Sequence, residues 1–358
     1  MTTPYSQITE IEALLRSLPE SDRALVRSLY DIRVEAGYAV LPERMAERAR
    51  KAIGAAEGLR SQRIVKVLNR VTLEATLFNP LRALRPQPPN PFAVPAASED
   101  PLADPEDNTA ADPFGRIRGA YCVTAANMTK ADTHHGLVIF NEPDPFAFDE
   151  KRIEDYLSTA WRWMEAAHAH DPLAVYPLTI WNVGARAGAS QPHGHMQTFL
   201  GRGHHYAKIE AQRRAASRYA LGGISGYVRD LLRAHAALGL AMDYRGATLL
   251  AHLTPAKERE IVVAAPRVDR PLFRAAYMAL VAYRDYLGVT NFNLAFYAPP
   301  LAATDEDWSG FPAFIRLVDR GAAGAGTADY GGMEMYGQPV VSADPFDVAR
   351  VLTEVIER

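Results

Sequence analysis

The sequence predicts an α+β chain built as two related halves behind an N-terminal helical extension. Three observations lead there. Apolar residues recur at helical spacing close to the N-terminus. From residue 119 onward, short strand-like runs alternate with helices. The order strand, strand, helix, strand, strand then occurs twice, at 119–200 and 246–319, as an internal duplication would leave it. A chain of 358 residues with 48% apolar and 23% charged residues has the composition of an ordinary globular protein. At roughly 150 residues per domain it holds about two.

Ile8, Ile11, Leu14 and Leu15 share a helical face, Pro19 interrupts, and Leu25, Val26, Leu29 and Ile32 resume it. The spacing predicts helices over 7–58. Ile64, Val65, Val67, Leu68, Val71 and Leu73 change the period and predict a strand or strand pair over 63–78. Eight prolines in residues 86–113 exclude regular structure there and predict a long surface loop. Strands are expected at 121–125, 136–140, 178–183 and 193–200. Asp149 is expected to cap a helix carrying Ile153, Leu157, Ala160 and Met164 on one face. A helix over 224–238, paired strands at 248–253 and 260–264, and a helix over 271–287 follow. Further strands are expected at 292–297, 313–318 and 333–336. Asp344 and Pro345 open the last helix, whose stripe is Val348, Val351, Leu352, Val355 and Ile356.

Composition narrows function. Thirty-nine Lys and Arg against 42 Asp and Glu leave a net charge of −3, which argues against a nucleic-acid partner. Cys122 is the single cysteine, so no intrachain disulfide and no paired-thiolate zinc site can form. No apolar run reaches about 18 residues and Met1 to Ser17 lacks a signal-peptide core, so no membrane partner and a cytoplasmic location are expected.

The chemistry concentrates in residues 182–197, Asn-Val-Gly-Ala-Arg-Ala-Gly-Ala-Ser-Gln-Pro-His-Gly-His-Met-Gln. On a strand, His193, His195 and Gln197 fall on one face. Polar groups so placed are costly in a core unless they serve a site. The preceding loop, with Gly184, Ala185, Ala187, Gly188, Ala189 and Ser190, has so little side-chain bulk that backbone N–H groups can approach an anion. A phosphate cradle leading into a histidine suits nucleophilic attack on phosphorus. A two-His metal strand of cupin type is the competing functional reading, though Thr198, Phe199 and Leu200 follow where that pattern wants a Glu. A lone buried His is more often a hydrogen-bonded core residue; the pair plus Gln after such a loop argues against that.

Gly188-Ala-Ser-Gln-Pro-His-Gly-His-Met-Gln197 resembles the active-site strand of the galactose-1-phosphate uridylyltransferase branch of the histidine-triad (HIT) superfamily. The related diadenosine tetraphosphate phosphorylases (ATP adenylyltransferases) carry a similar strand. Arg82-Ala-Leu-Arg85-Pro86 resembles the uridylyltransferase motif Arg-Ala-Lys-Arg-Pro, and Tyr330-Gly-Gly-Met-Glu-Met-Tyr336 resembles the end of the second repeat. The resemblance implies a HIT-like α+β fold with antiparallel sheets flanked by helices. It divides the chain into a helical extension at 1–60, a first half with the active-site strand at 61–205, and a diverged second half at 206–358. It implies His195 as nucleophile, His193 as its support through a backbone carbonyl, and Gln197 on a phosphate oxygen. Arg82, Arg85, Asn127, Asn182, Gly188, Ser190 and Gln191 would bind substrate.

The departures matter as much. Many uridylyltransferases hold zinc with a Cys-x-x-Cys pair, and their second repeat carries its own His-x-His strand. Here Phe311-Pro-Ala-Phe-Ile-Arg316 stands in that place, with Tyr297 where the family has a preceding His. No metal and no cofactor are therefore expected.

The resulting expectation is a nucleotidylyltransferase. It passes a nucleoside monophosphate from a nucleotide or nucleotide sugar, through a nucleotidyl-histidine, to a phosphorylated acceptor such as a sugar 1-phosphate. Gln197 cannot titrate, which favours transfer over hydrolysis. The alternatives are a diadenosine tetraphosphate phosphorylase or ATP adenylyltransferase, a non-catalytic nucleotide-binding protein, and a cupin-like metal oxygenase. A homodimer is left open. Lys130, His134, His135, Arg186, His204 and His205 are weaker candidates, each with a structural reading beside the functional one.

Overall fold

The computed structural model describes residues 7–45, 47, 60–84, 100–221, 226–322 and 330–358. Helices α1 (Ile11–Ser17) and α2 (Glu20–Leu29) open the chain. Ile8, Ile11, Leu14, Leu15, Val26 and Leu29 are buried and join the main core. The helical reading holds to Leu29, is interrupted from Tyr30, and holds again at residues 43–45 and 47. Tyr30–Tyr38 is strand β1, antiparallel to β2 (Ser61–Asn69), with Val34 opposite Val65. Ile32 and Val34 alternate with Arg33 and Glu35, a period of two that the helical spacing of Leu25, Val26 and Leu29 runs into without a break. The expected strand pair is present: β2 turns into β3 (Ala75–Phe78). Residues 85–99, most of the proline-rich stretch, lie outside the described residues. Its end holds a short helix, α3 (Pro105–Asn108), and a buried Leu102.

The two halves follow as expected. The first is β4 (Cys122–Ala126), β5 (His134–Phe140), α4 (Glu150–His170), β6 (Ala174–Val183) and β7 (His195–Arg202). Two helices, α5 (Ala207–Leu221) and α6 (Tyr227–Ala237), then intervene; α5 is absent from the sequence reading. The second half is β8 (Ala241–Tyr244), β9 (Ala247–Ala251), β10 (Glu258–Ala265), α7 (Arg270–Val281), β11 (Phe292–Tyr297) and β12 (Ala313–Asp319). Residues 332–336 form a short helix, α8 (Gly332–Tyr336), rather than a strand. The Glu334 carboxylate accepts the Gly331 N–H at 3.0 Å and closes the helix start, and Met333, Met335 and Tyr336 stay exposed. A four-residue alternation cannot distinguish the two forms. Strand β13 (Val340–Val341) pairs with β3, and α9 (Pro345–Glu357) starts at its expected cap, where Asp344 accepts from Phe346 N–H at 3.0 Å.

The strands form a four-stranded sheet, β1-β2-β3-β13, and a nine-stranded sheet, β4-β5-β7-β6-β11-β12-β10-β9-β8. In the large sheet the halves meet in mirror order across β6 and β11, with Asn182 opposite Asn293. This places β12 where β7 stands in the first half. Helices α4 and α7 cover one face. Trp181 and Met196, both fully buried, point into that layer, where Phe140 meets the Trp181 ring edge-on. Alternation sends His195 and Gln197 to the opposite face.

Candidate active site

The cradle forms where β6 ends. Gly184 has φ +82°, and a Cβ there would overlap the Asn291 amide, so the sharp exit requires glycine. A 3-10 turn, Ala185–Ala187, follows. Gly188 has φ +83° and open space where a side chain would stand. Ser190 is exposed beside it, and the Gln191 Oε1 atom is buried without a hydrogen-bond partner. The N–H groups of Ala187, Gly188 and Ala189 are taken up by the Gly184 and Ala185 carbonyls, and that of Arg186 by Asn291, so what the loop offers ahead of β7 is open space at Gly188 rather than a row of free amides.

His195 opens β7 and is 9% exposed. Its Nδ1 lies 2.8 Å from the carbonyl oxygen of His193. A carbonyl only accepts, so Nδ1 carries the proton and the Nε2 lone pair is left as the reactive atom. Burial is the main force on this ring and holds its pKa below the ordinary imidazole value; the His193 carbonyl pulls the other way. The geometry therefore presents a neutral imidazole with a fixed tautomer.

His193 lies in a bend before β7, so its ring does not extend the row of His195 and Gln197. Its Nδ1 is 2.7 Å from the Asp100 carboxylate and its Nε2 is 2.8 Å from the Phe140 carbonyl. Burial works against the Asp100 charge, yet the His193 contact and two backbone N–H groups hold its pKa below the usual carboxylate value. The imidazole is thus clamped at both nitrogens while its own carbonyl orients His195. Asp100 was invisible to sequence reasoning: it sits in the proline-rich stretch, 93 residues away.

Gln197 also has a hidden partner. The Ala131 N–H donates to His135 Nδ1 at 3.0 Å, which leaves the proton of the neutral ring on Nε2. That nitrogen faces the Gln197 Oε1 at 3.1 Å. Burial lowers the His135 pKa and favours this neutral form. With its oxygen engaged, Gln197 turns its NH2 group to whatever lies beside His195. Asn127 Nδ2 lies 3.1 Å from the same nitrogen, but a protonated Nε2 cannot accept from it, so Asn127 is a neighbour of this pair and its Oδ1 accepts instead from the Thr129 N–H at 3.0 Å.

Register brings in Asn182. Ile180 is opposite Gln197, so two residues on, Asn182 comes level with His195 on the neighbouring strand. Asn293 of β11 donates to Asn182 Oδ1 at 2.7 Å and to the Ala187 carbonyl at 2.8 Å, leaving the Asn182 NH2 as a donor toward the site. Arg320 in turn donates to Asn293 Oδ1. The second half therefore builds part of the first half's cradle, which no local motif announces.

The remaining candidates separate cleanly. Arg82 is exposed on the turn Pro80–Leu84 and makes no bond with the described residues around His195; Arg85 lies outside the described residues. Lys130 Nζ bonds the His135 carbonyl at 3.0 Å. His134 and Arg202 share the Asp171 carboxylate, both at 2.6 Å, which brings the Asp171 pKa down to about 2. His205 bonds the Ala298 carbonyl at 3.1 Å and is fully buried. For Lys130, His134 and His205 these contacts are structural.

The metal sites of the uridylyltransferases that the sequence resembles do not fit this donor set. Burial pushes the Cys122 thiol up to about 12, and both His193 nitrogens are engaged. In the second half, Arg316 of β12 bonds Glu260 at 2.6 Å and Glu74 at 2.9 Å. A fixed guanidinium neutralises carboxylates that would otherwise need a cation. Among the described residues, no three His, Cys, Asp or Glu side chains are grouped to hold a metal ion.

The mirrored halves of the large sheet, with His195 and Gln197 on one strand of the first, make a fold that other proteins share. No family model and no curated protein matches the sequence. Solved structures do. An ADP-glucose phosphorylase from Arabidopsis thaliana with bound ADP-glucose aligns with TM-score 0.63 at 19% identity, over 81% of this chain and 98% of that one. A GalT-like protein from Arabidopsis thaliana aligns with TM-score 0.57 at 18% identity, over 73% and 99%. A uridylyltransferase aligns with TM-score 0.57 at 13% identity, over 82% and 98%. No helix among the described residues is long and apolar enough to cross a membrane.

Proposed function

We propose that this protein is a nucleotidyltransferase that moves a nucleoside monophosphate to a phosphorylated acceptor through a covalent bond to His195. One observation carries the reading: His195 Nδ1 is tied to the His193 carbonyl, which leaves Nε2 as a neutral nucleophile on the strand next to Asn182. The His195 Nε2 lone pair attacks the α-phosphorus, and the bond to the bridging oxygen breaks. The leaving phosphate takes that electron pair and needs no proton. The imidazole becomes cationic, and the His193 carbonyl stabilises the charge through Nδ1–H. An oxygen of the acceptor phosphate then attacks the same phosphorus, and the P–N electrons return to Nε2. Gln197, its oxygen held by His135, donates to the phosphoryl oxygen as charge builds there.

Sugar 1-phosphate is the acceptor that the uridylyltransferase likeness supports. Inorganic phosphate is the second reading, supported by the ADP-glucose phosphorylase likeness. No metal takes part in this reading. Chelation is expected to leave both fold and labelling intact; unfolding on chelation refutes that point. The mechanism is tested with α-labelled UDP-sugars, ADP-sugars, UTP, ATP and diadenosine tetraphosphate, each incubated with protein and separated without acid. Label is expected on the wild type, stable to alkali and lost in acid, and absent from His195→Ala. Turnover by that variant, or label on another residue, sinks the covalent mechanism.

A further inference from the structure

We infer that the second half holds a separate, non-reacting binding site for a nucleoside phosphate, in the cavity between α6 and strands β8, β9 and β10. The inference goes beyond the His195 reaction and does not depend on it.

The cavity measures about 820 Å³, the size of a small-molecule site. Register fixes the face of the large sheet that it occupies, since residues directly opposite one another point to the same side. Asp243 is opposite Thr248, Thr248 opposite Ala264, and Ala264 opposite Phe314. The row runs on through Tyr297, Leu178 and Phe199, two residues from Gln197. Asp243, Thr248 and Ala264, which line the cavity, therefore share the face of His195 and Gln197. Ala265 at the end of β10 is opposite Ala313 at the start of β12, as Ile139 near the end of β5 is opposite His195. The cavity thus occupies in the second half the place that the His195 site holds in the first. It is four strand spacings from His195 along the sheet, roughly 20 Å, too far to be part of that site.

Its chemistry differs. Phe311 and Pro312 stand where His193 and Gly194 lead into β7, and none of the described residues lining the cavity is a histidine, so a bound phosphate meets no imidazole. Ala241 and Ala264 put only methyl groups on the floor, which leaves room for a flat ring, and Leu232 of α6 and Phe311 add apolar walls. Arg229 and Arg233, one turn apart on α6, line the cavity and are both exposed. Arg229 makes no hydrogen bond or ion pair among the described residues, and the Arg233 contact with Asp230 is long, at 4.0 Å. From β8, Asp243 accepts the Thr248 hydroxyl through Oδ1 at 2.7 Å, and its Oδ2 is taken by none of the described residues. Two forked guanidiniums match the oxygens of a phosphate. A carboxylate with a free oxygen accepts from sugar hydroxyls. An anion, a hydroxylated sugar and a flat ring are the three parts of a nucleoside phosphate. A fatty acid lacks the hydroxyls, and a sugar phosphate lacks the flat ring.

The full chain is titrated calorimetrically with AMP, UMP, ribose 5-phosphate and inorganic phosphate. It is also photo-crosslinked with 8-azido-AMP and 5-azido-UMP, and the labelled peptides are mapped. A crosslink is expected within residues 228–248 or 310–312 with at least one of the two nucleotides. Arg229→Glu and Arg233→Glu, both at exposed positions, should each weaken this binding on the order of tenfold, with Arg229→Lys in between. The rate of His195 labelling and the melting temperature should hold in all three variants. Ribose 5-phosphate should bind on the order of tenfold more weakly than the nucleotide. Crosslinks confined to the neighbourhood of His195, or none at all, overturn the inference. So does a crosslink at α6 that both Glu variants leave intact. Equal affinity for inorganic phosphate or ribose 5-phosphate makes this a bare anion site and overturns the nucleotide assignment. His195 labelling is read separately: a protein that crosslinks at α6 but takes no label at His195 sinks the transfer mechanism and supports this site.

Discussion

Asp100→Asn probes the contact that the sequence concealed. The Asp100 carboxylate holds His193 Nδ1 at 2.7 Å, and the Phe140 carbonyl holds the other nitrogen at 2.8 Å. A hydrogen bond to a charged group contributes about 1.5–3 kcal/mol. The Asp100 side chain is 36% exposed, so solvent screening reduces this to roughly 1 kcal/mol. The amide keeps the shape and removes the charge, so His193 is held mainly from the Phe140 side. Its carbonyl then fixes His195 Nδ1 less well. If the attacking pose loses the full amount, single-turnover labelling slows about fivefold. The midpoint of thermal unfolding should fall by about 1 °C. Nucleotide KM should stay within about twofold, because Asp100 bonds His193, Leu102 and Ala103 and none of the loop residues 184–190. The assay is rapid mixing with α-labelled nucleotide beside a thermal melt, with Asp100→Glu as the charge-retaining control. A lower melting temperature with an unchanged labelling rate makes Asp100 a clasp for the proline-rich segment only. A rise in KM places it in substrate binding. Either result refutes the clamp argument.

Two predictions concern pH. Burial keeps the His195 pKa below its ordinary value of about 6.5, so the acid limb of the labelling rate should lie below that pH; a limb at or above 7 contradicts a buried neutral nucleophile. Burial also lowers His235 to about 3 and His205 to about 4. The folded state then binds fewer protons than the unfolded one. Stability is complete above about pH 6.5 and is lost as pH falls toward those values, on the order of 2 kcal/mol per histidine by pH 5. A urea midpoint that does not drop between pH 7.5 and 5 refutes this.

Much of the site was legible because its chemistry is local. Gly184, Gly188 and the small residues between them declare a tight loop, and His195-Met-Gln197 declares a strand with two polar groups on one face; the alternation does not reach His193, which lies in the bend before it. The Asp149 and Asp344 caps were readable for the same reason, since a cap is a contact within one turn. Element type failed where the local signal was short or continuous. The strand Tyr30–Tyr38 follows a helix with no punctuation at Leu29, and its pairing with Ser61–Asn69 is what selects extended backbone. The helix Gly332–Tyr336 looked extended because four alternating residues carry too little period.

The α+β architecture with its repeated strand order was readable from the sequence, as was the position of His195 at the start of a strand after a small-residue loop. Only the tertiary structure decided what holds these groups in register: Asp100 on His193, His135 on Gln197, and Asn293 with Arg320 on Asn182. Each is a contact between residues tens to more than a hundred positions apart. Its energy depends on distance and burial, and sequence spacing encodes neither. The same holds for Arg316, whose charge sits between Glu74 and Glu260 only once the two sheets pack. Local periodicity can state which residue types occupy a strand, but which partners fix their tautomers and amide orientations follows from packing.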